Sequence, residues 1–394
     1  MKKSLLKLLS VSAAGALATS AHGLTIIPTF DASILTHPSV VGITNAINAA
    51  IQVMQSNVVD NVTVNITFVS NEAVGLGQSQ TYGEDFSYPA FLAALKSHAT
   101  SARDTNALSQ LPNTSTDPVI GGTLVHVTTA QARVLGLDTS YMGPDSTVSC
   151  KMSLVNFTRP PSDPSKYDLQ QVLEHEMDEV LGISSGLPDT SKVWPVDLFR
   201  YTTNLVRTFT TSGDNAYFST DGTNLIARYN MNSGGDYGDW WSYNYPSNWS
   251  PLTGVTSYAP QVQDAFTGPN IAIDIGVSEL AALDVVGWTL ATPAVSGLPP
   301  SLKIVRSGGN QYTLSWTNTA SGYVLQERTN LLAGSWTFSS TGATNPAVLV
   351  TTTSPKFYRL YKSLPSGQSP APAVTGVSAP HGPLTVTTRS IQPH

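Results

Sequence analysis

The chain has 394 residues, 12% of them charged and 41% hydrophobic, with a formal net charge of −6. That length holds two domains with sizeable cores, and the acidic balance excludes the electrostatic footprint of a nucleic-acid-binding protein. Cys150 is the only cysteine, so no intramolecular disulfide can form and stability must come from burial and from bound ions.

Met1-Lys2-Lys3, an apolar run and Ala18-Thr19-Ser20-Ala21-His22-Gly23 have the three-part form of a secretory signal, so residues 1–23 are expected to be removed and the product to be secreted. Their loss takes away three lysines and no acid, moving the formal charge to −9. No later segment approaches the roughly 18 to 20 apolar residues of a membrane span. Residues 39–55 carry Val40, Ile43, Ile47, Ile51 and Met54 at helical spacing, and 61–70 alternate as a half-buried strand through Val62, Val64, Ile66 and Phe68. The pattern then predicts a helix over 88–105 and strands over 123–128 and 147–157, the last stopped by Arg159-Pro160-Pro161.

The most informative stretch follows, in the helix beginning after Asp168. It reads His175-Glu176-Met177-Asp178-Glu179-Val180-Leu181-Gly182. Asp168 is the expected cap, with Gln171 as its capping-box partner, and Gly182 is the expected stop. Leu169, Leu173, Met177 and Val180 form the core stripe, with Val172 and Glu176 at its border and His175 and Glu179 just beyond. Glu174, Asp178 and Gln171 fall on the opposite side, which is expected to face solvent. An imidazole and a carboxylate one turn apart can grip one ion, while Glu176 can take a proton from a water held beside it. Acids near a helix C-terminus oppose the macrodipole by roughly 0.3 to 1 kcal/mol each, which a cation relieves.

Catalytic zinc needs a third protein ligand. No histidine lies between the motif and the end of the first domain, so the ligand must be an upstream histidine or a carboxylate. Asp197, set among aliphatic and aromatic residues after the post-helix loop, is the first choice; Asp189 is the second and His126 the third. The competing role for Asp197 is an ion pair with Arg200 or a turn cap. One imidazole and two carboxylates make a harder site than three histidines, tolerant of another divalent metal such as manganese or iron.

Residues 183–290 are irregular until Val277–Val286, expected to form a closing helix capped by Ser278 and stopped by Gly287. A Pro/Gly joint at 292–300 then marks a domain boundary. Short β-type segments over 301–363 suggest a small β-sandwich, and the Pro/Ser/Thr-rich residues 364–394 are expected to be a disordered tail without an apolar anchor.

The motif helix resembles those of the zincin metalloproteases, and its surroundings look like those of a family of exported bacterial metalloproteases. The resemblance is carried by the His-Glu-x-x-Glu-Val-Leu-Gly pattern and by Asp197-Leu198-Phe199-Arg200-Tyr201, Gly235-Asp236-Tyr237-Gly238-Asp239-Trp240, Gln263-Asp264-Ala265-Phe266 and Ala282-Leu283-Asp284-Val285-Val286-Gly287-Trp288. Among zincins the arrangement is most similar to the metzincins. The resemblance implies an α+β fold with a zincin-like catalytic domain over 24–291, a mixed sheet and an active-site helix; separately, the segment with Asn330-Leu331-Leu332-Ala333-Gly334-Ser335-Trp336 resembles fibronectin-type-III-like accessory modules over 301–363. The zincin resemblance implies zinc as cofactor, His175 and Glu179 as ligands and Glu176 as general base, and a strand within 147–157 as the cleft edge to which a substrate peptide adds. Ser185 falls where metzincins place the third ligand, and no methionine turn is evident downstream.

The leading expectation is thus a secreted, monomeric, metal-dependent endopeptidase acting on protein or peptide. A rival of another class is a non-catalytic binding protein on the same scaffold, contacting glycan or matrix through the C-terminal module or the aromatic loop Tyr237, Trp240, Trp241, Tyr243, Tyr245 and Trp249; those rings equally suit a core role. A further rival makes the ion structural, as calcium on Asp214, Asp221, Asp236 or Asp239.

Overall fold

A computed structural model describes residues 23–212, 215–242, 260–291, 303–308, 311–315, 323–328, 337–339, 347–350, 356–362 and 385–393. The signal expected at 1–23 (Gly23 apart), the joint at 292–300, Asp214, and the rings of Tyr243, Tyr245 and Trp249 lie outside them.

The chain opens with β1 (Thr25–Phe30), the single turn α1 (Ala32–Leu35), α2 (Val40–Asn57) and β2 (Thr63–Ser70). The α2 helix buries Ile43, Ala46, Ile47, Ala50, Ile51 and Met54, the stripe its spacing dictates. In β2, Val64, Ile66 and Phe68 turn inward on alternate positions. Next come β3 (Gly77–Ser87), α3 (Tyr88–His98) and α4 (Ala102–Ser109). The single helix expected over 88–105 is thus two: Ser101 caps α4 by accepting from Asp104 N at 2.9 Å, while Asp104 accepts from Ser101 N at 2.8 Å. Then follow β4 (Leu124–Thr128), α5 (Thr129–Val134) and β5 (Ser146–Cys150); a 3₁₀ turn at Met152–Leu154 separates β5 from the short β6 (Val155–Asn156), so the strand expected over 147–157 is interrupted. The motif helix α6 (Leu169–Val180) follows β7 (Tyr167–Asp168), which pairs with β6.

The irregular half contributes a 3₁₀ helix (Pro195–Phe199), β8 (Arg200–Tyr201), β9 (Tyr217–Phe218), β10 (Ala227–Arg228) and β11 (Phe266–Thr267), then α7 (Val277–Val285). The cap of α7 is Gly276, two residues before the expected Ser278: Glu279 reaches back to accept from Gly276 N at 2.9 Å. Tyr237, Trp240 and Trp241 are buried, and Trp240 lies among Phe218 and Tyr229 with ring centroids 5.5 and 5.2 Å away. These rings fill the interior of the irregular half.

The main sheet runs β1-β2-β5-β3 and ends on β18 (Thr385–Arg389), with β4 also paired to β3. Its pairs β1/β2 and β2/β5 are parallel, while β5/β3, β3/β4 and β3/β18 are antiparallel. The architecture is a mixed α/β arrangement compatible with the α+β class, with seven α-helices among the described residues. Helices α2 and α6 pack on each other, and α6 also lies on β3 and β5. No described helix is long and apolar enough to cross a membrane.

Beyond residue 302, β12 (Lys303–Gly308), β13 (Gln311–Ser315) and β16 (Ala347–Val350) form one antiparallel sheet, and β14 (Tyr323–Arg328), β15 (Thr337–Phe338) and β17 (Phe357–Lys362) another. Leu314 and Ala347 of the first and Leu325 of the second share a separate small apolar cluster.

Two expectations change. The strand Ser146–Cys150 is interior, bonded to β2 and β3, and the far side of β3 beside the motif helix is taken by β18. The tail is ordered where it is described: β18 joins β3, and β19 (Gln392–Pro393) pairs in parallel with β11. Its apolar anchor is the fully buried Ile391.

Candidate metal centre

Helix α6 starts because Asp168 accepts from Gln171 N at 3.1 Å, an arrangement fixed by Arg159 Nε donating to the same carboxylate at 2.6 Å. Gln171 does not complete the capping box; its amide donates to Thr267 Oγ1 at 2.9 Å instead. The helix ends at Gly182, whose φ of 108° lies in the region glycine alone enters readily.

All of α6 from Gln171 to Val180 is buried, including the side expected to face solvent. Glu174 accepts from Ile275 N at 2.9 Å and Gln170 Nε2 at 2.9 Å, and burial, reinforced by Asp274, pushes its carboxyl up to about 8. Asp178 is held well above the usual carboxylate range by burial and by neighbouring Glu279 and Glu174.

His175, Glu179 and Asp239 converge from two directions. Nε2 of His175 lies 3.7 Å from Glu179 Oε1 and 3.7 Å from Asp239 Oδ1, and one ligand atom from each residue falls within 4.8 Å of the other two. Two donors each about 2.0 to 2.1 Å from a tetrahedral ion stand roughly 3.4 Å apart, so the two separations from His175 need a contraction of only a few tenths of an ångström. The sequence places His175 and Glu179 on one face; Asp239 comes from the loop after β10. That loop approaches because Gly238 has no side chain: a Cβ there would lie 2.6 Å from Ser185 N and 2.9 Å from Ser184 Cα.

The chemistry of the donor set fits a divalent cation. Nδ1 of His175 meets Val262 O at 2.9 Å; as a carbonyl only accepts, Nδ1 carries the proton and the Nε2 lone pair faces the acids. Burial depresses the imidazole to about 4, so it is neutral at pH 7. Ser79 Oγ fixes Glu179 by donating to Oε2 at 2.6 Å, and Gln263 Nε2 fixes Asp239 by donating to Oδ1 at 2.9 Å. Glu179 Oε1 and Asp239 Oδ2 are buried without a hydrogen-bond partner among the described residues. Glu179 and Asp239 are both pushed well above the ordinary carboxylate range, first by burial and then, for Glu179, by Glu176 and Asp236 and, for Asp239, by Asp236 and Glu179. Acids gathered in a dry site around an unprotonated imidazole nitrogen gain most from a cation.

Glu176 lies beside this group, fully buried and raised by burial and by Asp239 and Asp236. Its Oε1 accepts from Ile391 N at 3.3 Å, and Oε2 has no partner among the described residues.

The other expected ligands stand elsewhere. Asp197 accepts from Ser185 Oγ at 2.6 Å, Gly186 N at 2.8 Å and Trp194 N at 3.0 Å, so it ties the post-helix loop to the 3₁₀ helix and has no oxygen to spare for His175. Asp189 is exposed and accepts from Ser191 N at 2.9 Å. His126 holds Asp85 Oδ1 through Nδ1 at 2.6 Å and packs against Trp194 with ring centroids 4.6 Å apart and planes tilted by 47°. Asp239 is the acid that completes the candidate metal group, and its Gly-Asp-Trp setting is the available sequence signal. No protein-family model, curated protein or solved structure matches the chain.

Proposed function

We propose that the protein is a metal-dependent peptidase of zincin-like design, its ion held by His175, Glu179 and Asp239 with Glu176 as general base, and that the C-terminal strands form a fibronectin-like accessory module. The observation that carries this reading is the buried imidazole whose unprotonated Nε2, met by Gln263 Nε2 at 3.4 Å, faces two carboxylates that each keep one oxygen without a partner among the described residues. Zinc suits one nitrogen and two oxygens, and the hardness of the set also admits manganese or iron. A divalent ion there supplies Lewis acidity, activating water near neutral pH and polarising a peptide carbonyl.

Glu176 supplies the proton traffic. It projects from the same helix one residue after a ligand, and as a carboxylate beside a bound cation it would take a proton from water and return it to the leaving amine; its Oε2 has no partner among the described residues. Ser79 and Gln263 hold the ligand carboxylates, and Val262 O holds the imidazole tautomer. The side of β3 that pairs with β18 would offer backbone groups to an extended substrate once residues 385–389 are displaced.

The expected result is that Glu176→Gln lowers hydrolysis of casein or a peptide library at least 10²-fold while bound metal, measured by elemental analysis, stays stoichiometric. Equal cleavage by variant and parent would refute the mechanism. A second reading, a structural ion, is favoured by burial, since His175, Glu179 and Asp239 expose 1% or less. It predicts that a chelator lowers the melting temperature of a chain that hydrolyses nothing in any state.

A further inference from the structure

The C-terminal segment runs from β3 to β11 and bonds Glu176, beside the candidate centre. Thr385 to Arg389 pair with Gly83 to Ser79 in antiparallel register, and Gln392 and Pro393 pair with Phe266 and Thr267. Between these two stretches the backbone is gripped from both sides. Ile391 O accepts from Leu76 N at 3.3 Å and Gly77 N at 3.4 Å, Ile391 N donates to Glu176 Oε1 at 3.3 Å, Ser390 N donates to Asp236 Oδ2 at 2.6 Å, and Gln392 N donates to Ala265 O at 3.3 Å.

Main-chain groups supply most of this recognition, which is how a sheet edge takes an extended polypeptide. Two side chains add selectivity. Ile391 is fully buried in the main core. Arg389 sits with its guanidinium carbon 4.9 Å from the centre of the Trp194 ring, Nη1 3.9 Å from Asp236 Oδ1, and Nη2 donating to Ser185 O. Trp194, Asp236 and the Ser185 carbonyl thus form a cation pocket beside the acid cluster.

We propose that residues 385–393 are an intramolecular peptide ligand, seated where an external polypeptide lies antiparallel to β3, and that the groove selects an extended peptide with a basic side chain two positions before a buried apolar one. The seated tail occupies Glu176 Oε1 beside the centre, so the chain in this state is autoinhibited. That consequence rests on the peptidase reading; the binding claim does not.

The test keeps every residue of the chain. A cleavage site for a specific protease is introduced between residues 363 and 384, and the chain is nicked and titrated with a fluorescein-labelled peptide of residues 384–394. Before nicking, the tethered tail competes at an effective concentration of roughly 1 mM, so a tail that is almost wholly seated implies a Kd of about 10 μM or tighter in trans, and an apparent affinity about 100-fold weaker for the uncut chain. Fluorescence anisotropy should show saturable uptake by the nicked chain, and roughly tenfold weaker uptake of the same peptide carrying Arg389→Gln. Equal uptake by nicked and uncut chains, equal uptake of the two peptides, or no uptake after full equilibration would overturn the inference. Hydrolysis of a reporter peptide is read in parallel. Selective uptake with no hydrolysis before or after nicking overturns the peptidase reading alone, while hydrolysis unchanged by nicking overturns autoinhibition.

Discussion

Replacing Asp239 and Asp197 in turn separates an ion ligand from a loop anchor. Structural zinc sites bind with about 10 to 16 kcal/mol over four ligands, so one ligand carries roughly 2.5 to 4 kcal/mol, a factor of about 10² to 10³ in Kd. Asp239→Asn should weaken zinc by that factor in a competition titration against a chromophoric chelator at pH 7. It also removes one acid from a buried like-charged group, so the metal-free variant should melt no lower than the metal-free parent, while the zinc-loaded variant melts lower. Asp197→Asn should do the reverse. It sets an amide against the Gly186 and Trp194 N–H groups and Ser185 Oγ, costing about 1 to 3 kcal/mol with or without metal, and should change zinc affinity less than threefold. Loss of zinc in Asp197→Asn with retention in Asp239→Asn would refute the assignment.

Gly182→Ala places a Cβ at φ 108°, within 2.1 to 2.4 Å of the Gln131 side chain, which is itself bonded to Thr128 N and Val286 O. A loss of about 2 to 4 kcal/mol is expected, or roughly 5 to 15 °C in melting temperature by circular dichroism; a shift below 2 °C would contradict the packing at the end of α6. Asp284 provides a pH test. Burial and neighbouring Asp104 raise its carboxyl from 3.8 to about 6, so its contribution to stability is fully present below about pH 4 and is lost as pH rises through 6. The span corresponds to about 2 to 3 kcal/mol, and Asp284→Asn should flatten the urea-unfolding free energy between pH 4 and 7 by that amount. A variant with the parent's pH slope would show that another group titrates there.

Elements whose burial follows one period were legible. The stripe of α2, the alternation of β2 and the glycine stops of α6 and α7 all follow from residue type and spacing. Strand β3 was not, because its inward positions are polar: Ser79 bonds Glu179, and Thr81 Oγ1 lies 3.0 Å from Ser146 Oγ. A strand that lines a charged site cannot show apolar alternation. The tail strand was hidden by its Pro/Ser/Thr-rich setting, although Thr385-Val386-Thr387-Thr388 is an unbroken β-branched run. Glu174 and Asp178 were assigned to solvent because a helix wheel shows only the helix's own faces. The segment carrying Ile275 and Glu279 supplies the layer that covers them.

The same distinction accounts for the site. His175 and Glu179 meet through helical geometry that any sequence reader can apply, because one turn fixes their separation. A third ligand is fixed only by tertiary approach, and proximity along the chain is a poor guide to it: Asp197 follows the helix closely, yet Ser185 and two backbone N–H groups consume its oxygens in holding the loop together. Asp239 belongs to a distant loop, and what brings it in is the residue before it. At Gly238 the loop backbone lies so close to Ser184 and Ser185 that a methyl group would force the two segments apart, carrying Asp239 away from His175. The signal for the missing ligand was thus a glycine required for close packing, with the acid itself indistinguishable by residue type from Asp236 or Asp264 nearby.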